Sequence, residues 1–249
     1  MMLQRSSRAY RRRRGRSGGV GIVAVAGLAA LTLGWLVGLI RVPGIESPLP
    51  AAQAGIGGVP SARLEAAKAS LASIPVKGRA PKTGYARTQF GQAWADTDRN
   101  GCDTRNDILA RDLADPAFKP GTGDCVVLSG TLHDPYTGKT IDFQRGGRSA
   151  DVQIDHVVPL SDAWQKGAQQ WTAQKRLEFA NDPANLRAMD GPANQEKGDG
   201  DLATWLPPNK PFRCEYAVTI VEVKASYGLW MTDAEHAKAA DLLSACTAQ

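Results

Sequence analysis

Val152-Gln153-Ile154-Asp155-His156-Val157-Val158-Pro159-Leu160 is an apolar run in which a carboxylate and an imidazole sit side by side. Its β-branched residues and the stop at Pro159 predict a short strand over 152–158. Polar groups flanked in this way must find partners or reach a cleft. An oxygen ligand next to an imidazole suits a hard metal ion and a general base acting on water nearby. An Asp–His pair is also often a structural hydrogen-bonded unit, so the dipeptide alone leaves both readings open.

Two downstream pieces add to it. Asn181-Asp182-Pro183-Ala184-Asn185-Leu186 comes first. Asp190-Gly191-Pro192-Ala193-Asn194-Gln195-Glu196-Lys197-Gly198-Asp199 follows. Asp190 with Pro192 behind it predicts a helix start. Asn194 and Lys197, at i and i+3, then share one face. An amide oxygen there can ligate Mg²⁺, and the ammonium beside it can meet a phosphate. An isolated Asn is otherwise a cap or turn residue.

These pieces, in this order, resemble the HNH or ββα-metal nuclease signature, in the variant with Asn at the last position, as in the HNH domain of RNA-guided DNA nucleases. The wording DHVVPL, NDPANL and NxxKGD is similar to exported actinobacterial HNH-family proteins related to the C-terminal domain of GmrSD-type restriction enzymes. The resemblance covers residues 80–246, with its core in 152–199. It implies an α+β fold, a ββα-metal core with flanking helices. It also implies an endonuclease that hydrolyses phosphodiester bonds, of DNA in the leading reading, leaving 5′-phosphate and 3′-hydroxyl ends. Carried onto this chain, Asp155 and Asn194 become metal ligands and His156 the general base. Asn185 braces the loop that holds the base, and Lys197 contacts phosphate. Oxygen ligands with a single base favour Mg²⁺ or Mn²⁺ over Zn²⁺.

Bulk charge does not speak for nucleic acid. The chain carries +5, yet eight of its 30 basic residues (Arg5, Arg8, Arg11 to Arg14, Arg16 and Arg41) lie in or beside the N-terminal apolar segment. That leaves 22 basic residues against 25 acidic over 42–249, a mildly acidic domain. Any hold on a polyanion must be local. Arg145 and Arg148, in a glycine-bearing loop before the Asp–His strand, are candidates for such a patch, as is Arg105. As plain loop arginines they would simply be solvated.

The rest of the chain reads as a leader, a linker and one domain. Residues 1–19 form a basic cytoplasmic N-terminus, and 20–40 an uncharged apolar run long enough to span a bilayer. It is either retained as an anchor, making the membrane a partner, or cut near Ala52-Gln53-Ala54. A flexible linker over 41–62 precedes the nuclease-like domain at 63–249. No protein partner is expected. Cys102, Cys125, Cys214 and Cys246 all follow the leader and form an even set. Export predicts pairing. Locality favours Cys102–Cys125 and Cys214–Cys246, with a zinc site the alternative.

Helices are expected over Leu64–Ile74, around Ile108–Leu113, over Ala163–Ala180 with a break near Gly167, over Arg213–Tyr227 and over Thr232–Ala245. Thr232 and Glu235 make a capping box for the last. Strands are expected over Cys125–Leu132 and Lys139–Phe143, joined by the turn Asp134-Pro135-Tyr136-Thr137-Gly138. Segregated strands and helices argue α+β.

A second constellation stands at Asp96, Asp98, Asn100 and Asp107, with Gly101 at the sixth position. It copies a calcium-loop spacing. It supports a rival reading: a Ca²⁺-binding, envelope-tethered adhesion module without catalysis. A helix-capping turn fits the same residues. So does a supporting role at the reaction centre for Arg105 and Asp107. His133 and His236 read as surface residues, and the tryptophans as core.

Overall fold

The computed structural model describes residues 58–247. The apolar run at 20–40, its arginines and all but the end of the linker lie outside the described residues. Among the described residues no helix is long and apolar enough to cross a membrane.

The domain is α+β, with two small antiparallel sheets and seven α-helices among the described residues. Strands β1 (Leu113–Phe118), β2 (Val127–His133) and β3 (Thr140–Gln144) form one sheet in that order. Strands β4 (Val152–His156) and β5 (Leu186–Asp190) form the other, with Val152 opposite Asp190 and His156 opposite Leu186. Helix α5 (Gly191–Lys197) follows β5 without a loop, capped by the Asp190 carboxylate on the Ala193 amide. Pro192 occupies the first turn, where its missing N–H costs nothing.

Two cores meet at β4 and β5. Val152, Ile154, Leu186 and Ala188 join Ile108 and Leu109 of helix α2 (Thr104–Asp112) and Leu113, Val127, Leu132 and Phe143 of the larger sheet. Met189, Ala193, Val157 and Val158 belong to the larger core instead. That core is built on α1 (Ser61–Ser73), α3 (Leu160–Gln165), α6 (Arg213–Tyr227) and α7 (Asp233–Ala245). The two-stranded sheet is thus buried from both sides, and its end is held rigidly.

Most expected elements are present with shifted ends. Leu113 begins β1 and does not close α2. The 163–180 segment is two helices, α3 and α4 (Ala173–Ala180), parted at Gly167, whose φ is +132°. β5 had no sequence signal of its own. Thr232 caps α7 by accepting from the Glu235 amide at 3.2 Å. The reciprocal half of the expected capping box is missing. The Glu235 carboxylate turns inward to Lys166 and Lys224, because two buried ammonium groups hold it more strongly than one amide.

Both expected disulfides are present, Cys102–Cys125 and Cys214–Cys246. The second ties the start of α6 to the end of α7.

One glycine sets the seat of α5. A Cβ on Gly191 would collide with the Ala150 carbonyl oxygen, and the Gly191 amide donates to Asp151 O at 2.9 Å. Gly191→Ala must push α5 away from β4, and overpacking of this kind costs about 1–3 kcal/mol. The matched change Gly147→Ala, where a Cβ meets nothing, is expected to stay within about 0.5 kcal/mol of wild type. Urea midpoints of the two variants check the difference.

Candidate active site

Adjacent residues of a strand point to opposite faces, and this separates Asp155 from His156. Asp155 faces α5. Its Oδ1 accepts from Lys197 Nζ at 2.7 Å, and its Oδ2 from the Tyr136 hydroxyl at 3.0 Å. Lys197 Nζ also donates to the His156 carbonyl oxygen at 2.8 Å. Asp155, Lys197 and Tyr136 are all buried. One turn earlier on α5, Asn194 Nδ2 donates to Gln153 Oε1 at 2.9 Å. Asn194 and Lys197 therefore share a face, as expected, and that face lies against Gln153 and Asp155 of β4.

Tyr136 was not singled out by sequence. It sits in the Asp134–Gly138 turn, where the Asp134 carboxylate accepts from the Tyr136 and Thr137 amides. That fold of the turn sends the phenol ring into the core against Phe212 and Tyr216. Burial, and then the Asp155 charge, push its hydroxyl pKa well up, so it stays a donor. The only signal was an aromatic residue inside an otherwise polar turn.

His156 looks the other way. Its ring lies parallel to Trp94, centroids 6.2 Å apart, and its Nε2 is 2.9 Å from the Ala180 carbonyl oxygen. A carbonyl can only accept, so Nε2 carries the hydrogen and Nδ1 is left with a lone pair. Burial lowers the pKa of the ring to about 4, and the charges of Arg87 and Lys197 press the same way against the opposing Ala180 contact and Asp155. The imidazole is neutral at pH 7, a base with a defined tautomer. It opens on a pocket of about 200 Å³ walled by Arg87, Phe90, Trp94, Leu160 and Ala180.

The backbone after His156 is clamped. Val157 N donates to Asn185 O at 2.8 Å. The Asn185 amide closes a ring on Val158, accepting from its N–H at 2.8 Å and donating to its carbonyl at 3.2 Å. Asn185 is fully buried, so its side chain serves this turn alone.

The remaining candidates lie elsewhere. Arg145 donates to Val127 O and to Asn106 Oδ1, and Arg105 lies 5.9 Å over the Phe143 ring. Burial, with Arg145 close by, lowers the Arg105 pKa. Arg148 pairs with Asp151. None of the three lines the pocket at His156. In the 96–107 loop, Asn100 gathers the other side chains: its amide group donates to Asp98 and Asp107, and its backbone N–H to Asp96. Burial and the neighbouring carboxylates raise the Asp107 pKa against the Asn100 contact.

Among the described residues no group of three or more His, Cys, Asp or Glu side chains is placed to hold a metal ion. The fit at Asp155 is poor as packed. Mg²⁺ keeps several waters, whereas both carboxylate oxygens of Asp155 are engaged by protein and only 3% of the residue is exposed.

The family of GmrSD restriction endonucleases, C-terminal domain, matches residues 103–242. The chain belongs to it. The match takes in α2 through most of α7 and so includes β4, β5, α5 and every residue at Asp155 and Asn185. The Arg87 to Trp94 wall of the pocket lies before it. A protein of Arthroderma benhamiae, described as an uncharacterized secreted protein, is 37% identical over 190 residues, 76% of this chain and 87% of the relative. No solved structure matches.

Proposed function

We propose that this member of the GmrSD C-terminal domain family is an extracytoplasmic nuclease of the HNH type, hydrolysing phosphodiester bonds of DNA with His156 as general base. The observation that carries the reading is the Nε2 contact with Ala180, which places the hydrogen on Nε2 and leaves Nδ1 as the acceptor of a neutral imidazole that lines the pocket. The order β4, β5, α5, with α5 seated on the Asp155 face, supports the ββα assignment. The two disulfides and the secreted relative support export.

In this mechanism Nδ1 of His156 takes a proton from a water molecule. The oxygen of that water attacks phosphorus, the bond to the leaving 3′ oxygen breaks, and that oxygen takes up a proton from solvent. Asn185 fixes the turn after the base. Lys197 and Asp155 lock the end of β4 from behind, and Lys197 serves there as a support for the His156 carbonyl, not as a free phosphate contact. Mg²⁺ or Mn²⁺ held by Asp155 and Asn194 remains the expected cofactor of the family resemblance. Asp155 as packed does not offer a hydrated metal ion the room, since Lys197 and Tyr136 occupy both its oxygens.

The decisive experiment incubates the full chain and His156→Ala with plasmid DNA and with an RNA transcript, in Mg²⁺, Mn²⁺ or EDTA. Cleavage by the wild type and its loss in the variant are expected. No cleavage of either polymer under any condition rejects the nuclease, and equal cleavage by both proteins rejects His156 as the base. The calcium-module reading is weakened at the 96–107 loop, where the Asn100 amide donates to the Asp98 and Asp107 carboxylates. Calcium binding at that loop without any cleavage is the outcome that would favour it.

A further inference from the structure

The pocket at His156 has a wall that the resemblance did not supply. It is the segment Arg87 to Trp94, and its shape is fixed by several contacts. Phe90 is buried against Trp164 and Phe179, with centroids 6.3 and 6.1 Å away. Arg176 Nε donates to Gln89 O at 2.8 Å. Trp94 holds φ at +57°, a strained conformation for a bulky residue, and this brings its ring over His156. The turn Arg87–Phe90 therefore presents Arg87 from a rigid base.

Arg87 is exposed, and among the described residues no carboxylate pairs with it. Most other arginines of the domain are spent: Arg63, Arg79, Arg111 and Arg148 on carboxylates, Arg145 and Arg176 on protein carbonyl oxygens. Among the described residues lining the pocket Arg87 is the one Lys, Arg, Asp or Glu side chain. A guanidinium beside a base opposes the base taking up a proton, unless an anion lies between them. Its planar fork suits a phosphate.

Size agrees. About 200 Å³ is smaller than the ~300–1,000 Å³ of sites that enclose a whole small molecule. The pocket admits a phosphodiester and the edge of a sugar, with the rest of a polymer outside.

We propose that Arg87 binds the scissile phosphodiester of a nucleic acid strand in this pocket, on the face of β4 opposite Asp155 and Lys197. The proposal rests on the nuclease reading above and adds the substrate's place and its anchoring side chain. It also explains how a mildly acidic domain holds a polyanion: through one cation at the base and not through an extended basic face.

Anisotropy of a fluorescein-labelled thymidylate tetranucleotide tests it with the full chain in EDTA, so that binding is read without cleavage. Arg87→Ala, a change at an exposed side chain, is expected to weaken binding at least tenfold, and Arg87→Lys less. Arg105→Ala is expected to stay within twofold. No binding by the wild type, equal binding by Arg87→Ala, or a loss in Arg105→Ala instead, overturns the proposal. The two readings fail separately. A protein that binds through Arg87 yet never cleaves keeps this site and loses the nuclease. One that cleaves through His156 with kcat/KM unchanged in Arg87→Ala keeps the nuclease and loses this site.

Discussion

Lys166→Met is expected to cost about 3–5 kcal/mol of folding stability, the range for breaking a buried ion pair by removing one partner. Lys166 sits at the centre of a buried network. Its Nζ lies 2.6 Å from Asp162, 2.8 Å from Asp201 and 2.6 Å from Glu235. Lys224 bridges Asp162 and Glu235, and Arg79 bridges Asp162 and Asp201. Three cations thus balance three carboxylates, and the network joins α3, α6, α7 and the segments at Arg79 and Asp201. Burial alone would raise the Asp162 carboxyl, but Lys224 and Lys166 bring it below its usual range. Against its own burial, Asp201 is held at about 2, chiefly by Lys166 and then Arg79. Methionine fills a similar volume but leaves two cations, Lys224 and Arg79, against three carboxylates, so the buried network carries one excess negative charge. Domains are stable by only about 5–15 kcal/mol, so the variant would unfold readily at physiological temperature. The double change Lys166→Met with Glu235→Gln restores neutrality and is expected to recover part of the loss. Arg148→Met breaks an exposed pair and is expected to cost about 0–1 kcal/mol. Urea unfolding with the disulfides intact measures all three. A loss below about 1 kcal/mol for Lys166→Met would mean that water reaches the network.

That network shows where the sequence stopped being readable. The four-residue spacing of Asp162 on α3 and Lys166 just after it is visible, but their partners lie far along the chain, and Glu235 looked like a cap. The site divides in the same way. β4 was legible because apolar β-branched residues and Pro159 mark it. α5 was legible because Asp190 and Pro192 start a helix, which put Asn194 and Lys197 on one face. β5 was not: Leu186-Arg187-Ala188-Met189-Asp190 has neither alternation nor β-branched residues. It is a strand because β4 pairs with it and Asp112 accepts from its Ala188 amide at 2.8 Å. Arg111 and Asp112 of α2 grip it from outside. Lys197 was read as a phosphate contact because a lysine near an asparagine suits one. Whether a lysine faces solvent or a buried carboxylate depends on how deeply the helix is seated, and here Gly191 sets that depth. Arg87 and Trp94 reach His156 only through tertiary packing, so no local pattern points to them.

His156 should behave as a buried neutral base, and acid is the way to see it. In the unfolded chain an imidazole takes up a proton near pH 6.5, whereas in the folded protein burial lowers that value to about 4. The folded state therefore binds the proton less well. The stability due to this group is complete above pH 6.5 and is lost as pH falls towards 4, by about 3 kcal/mol in all at 1.36 kcal/mol per unit. Denaturation curves between pH 7 and pH 4 should show this loss in the wild type and not in His156→Gln. Equal losses in the two proteins would place the acid sensitivity elsewhere. Activity should follow the folded value. The base form is present at every pH above 4, so the rate is expected to hold its plateau down to about pH 5, where an exposed histidine would already have lost most of its base form. His156→Ala should lower the rate by about 10²–10⁴-fold, the usual contribution of a positioned general base. The two measurements are linked through Arg87, whose charge also presses the ring's pKa down. An anion bound there would relieve that pressure, so the acid limb in the presence of a saturating oligonucleotide should lie at higher pH than in the free protein. An acid limb that stays near pH 6.5 with and without substrate would mean that the ring turns out to solvent during the reaction, and that the Ala180 contact does not hold its tautomer.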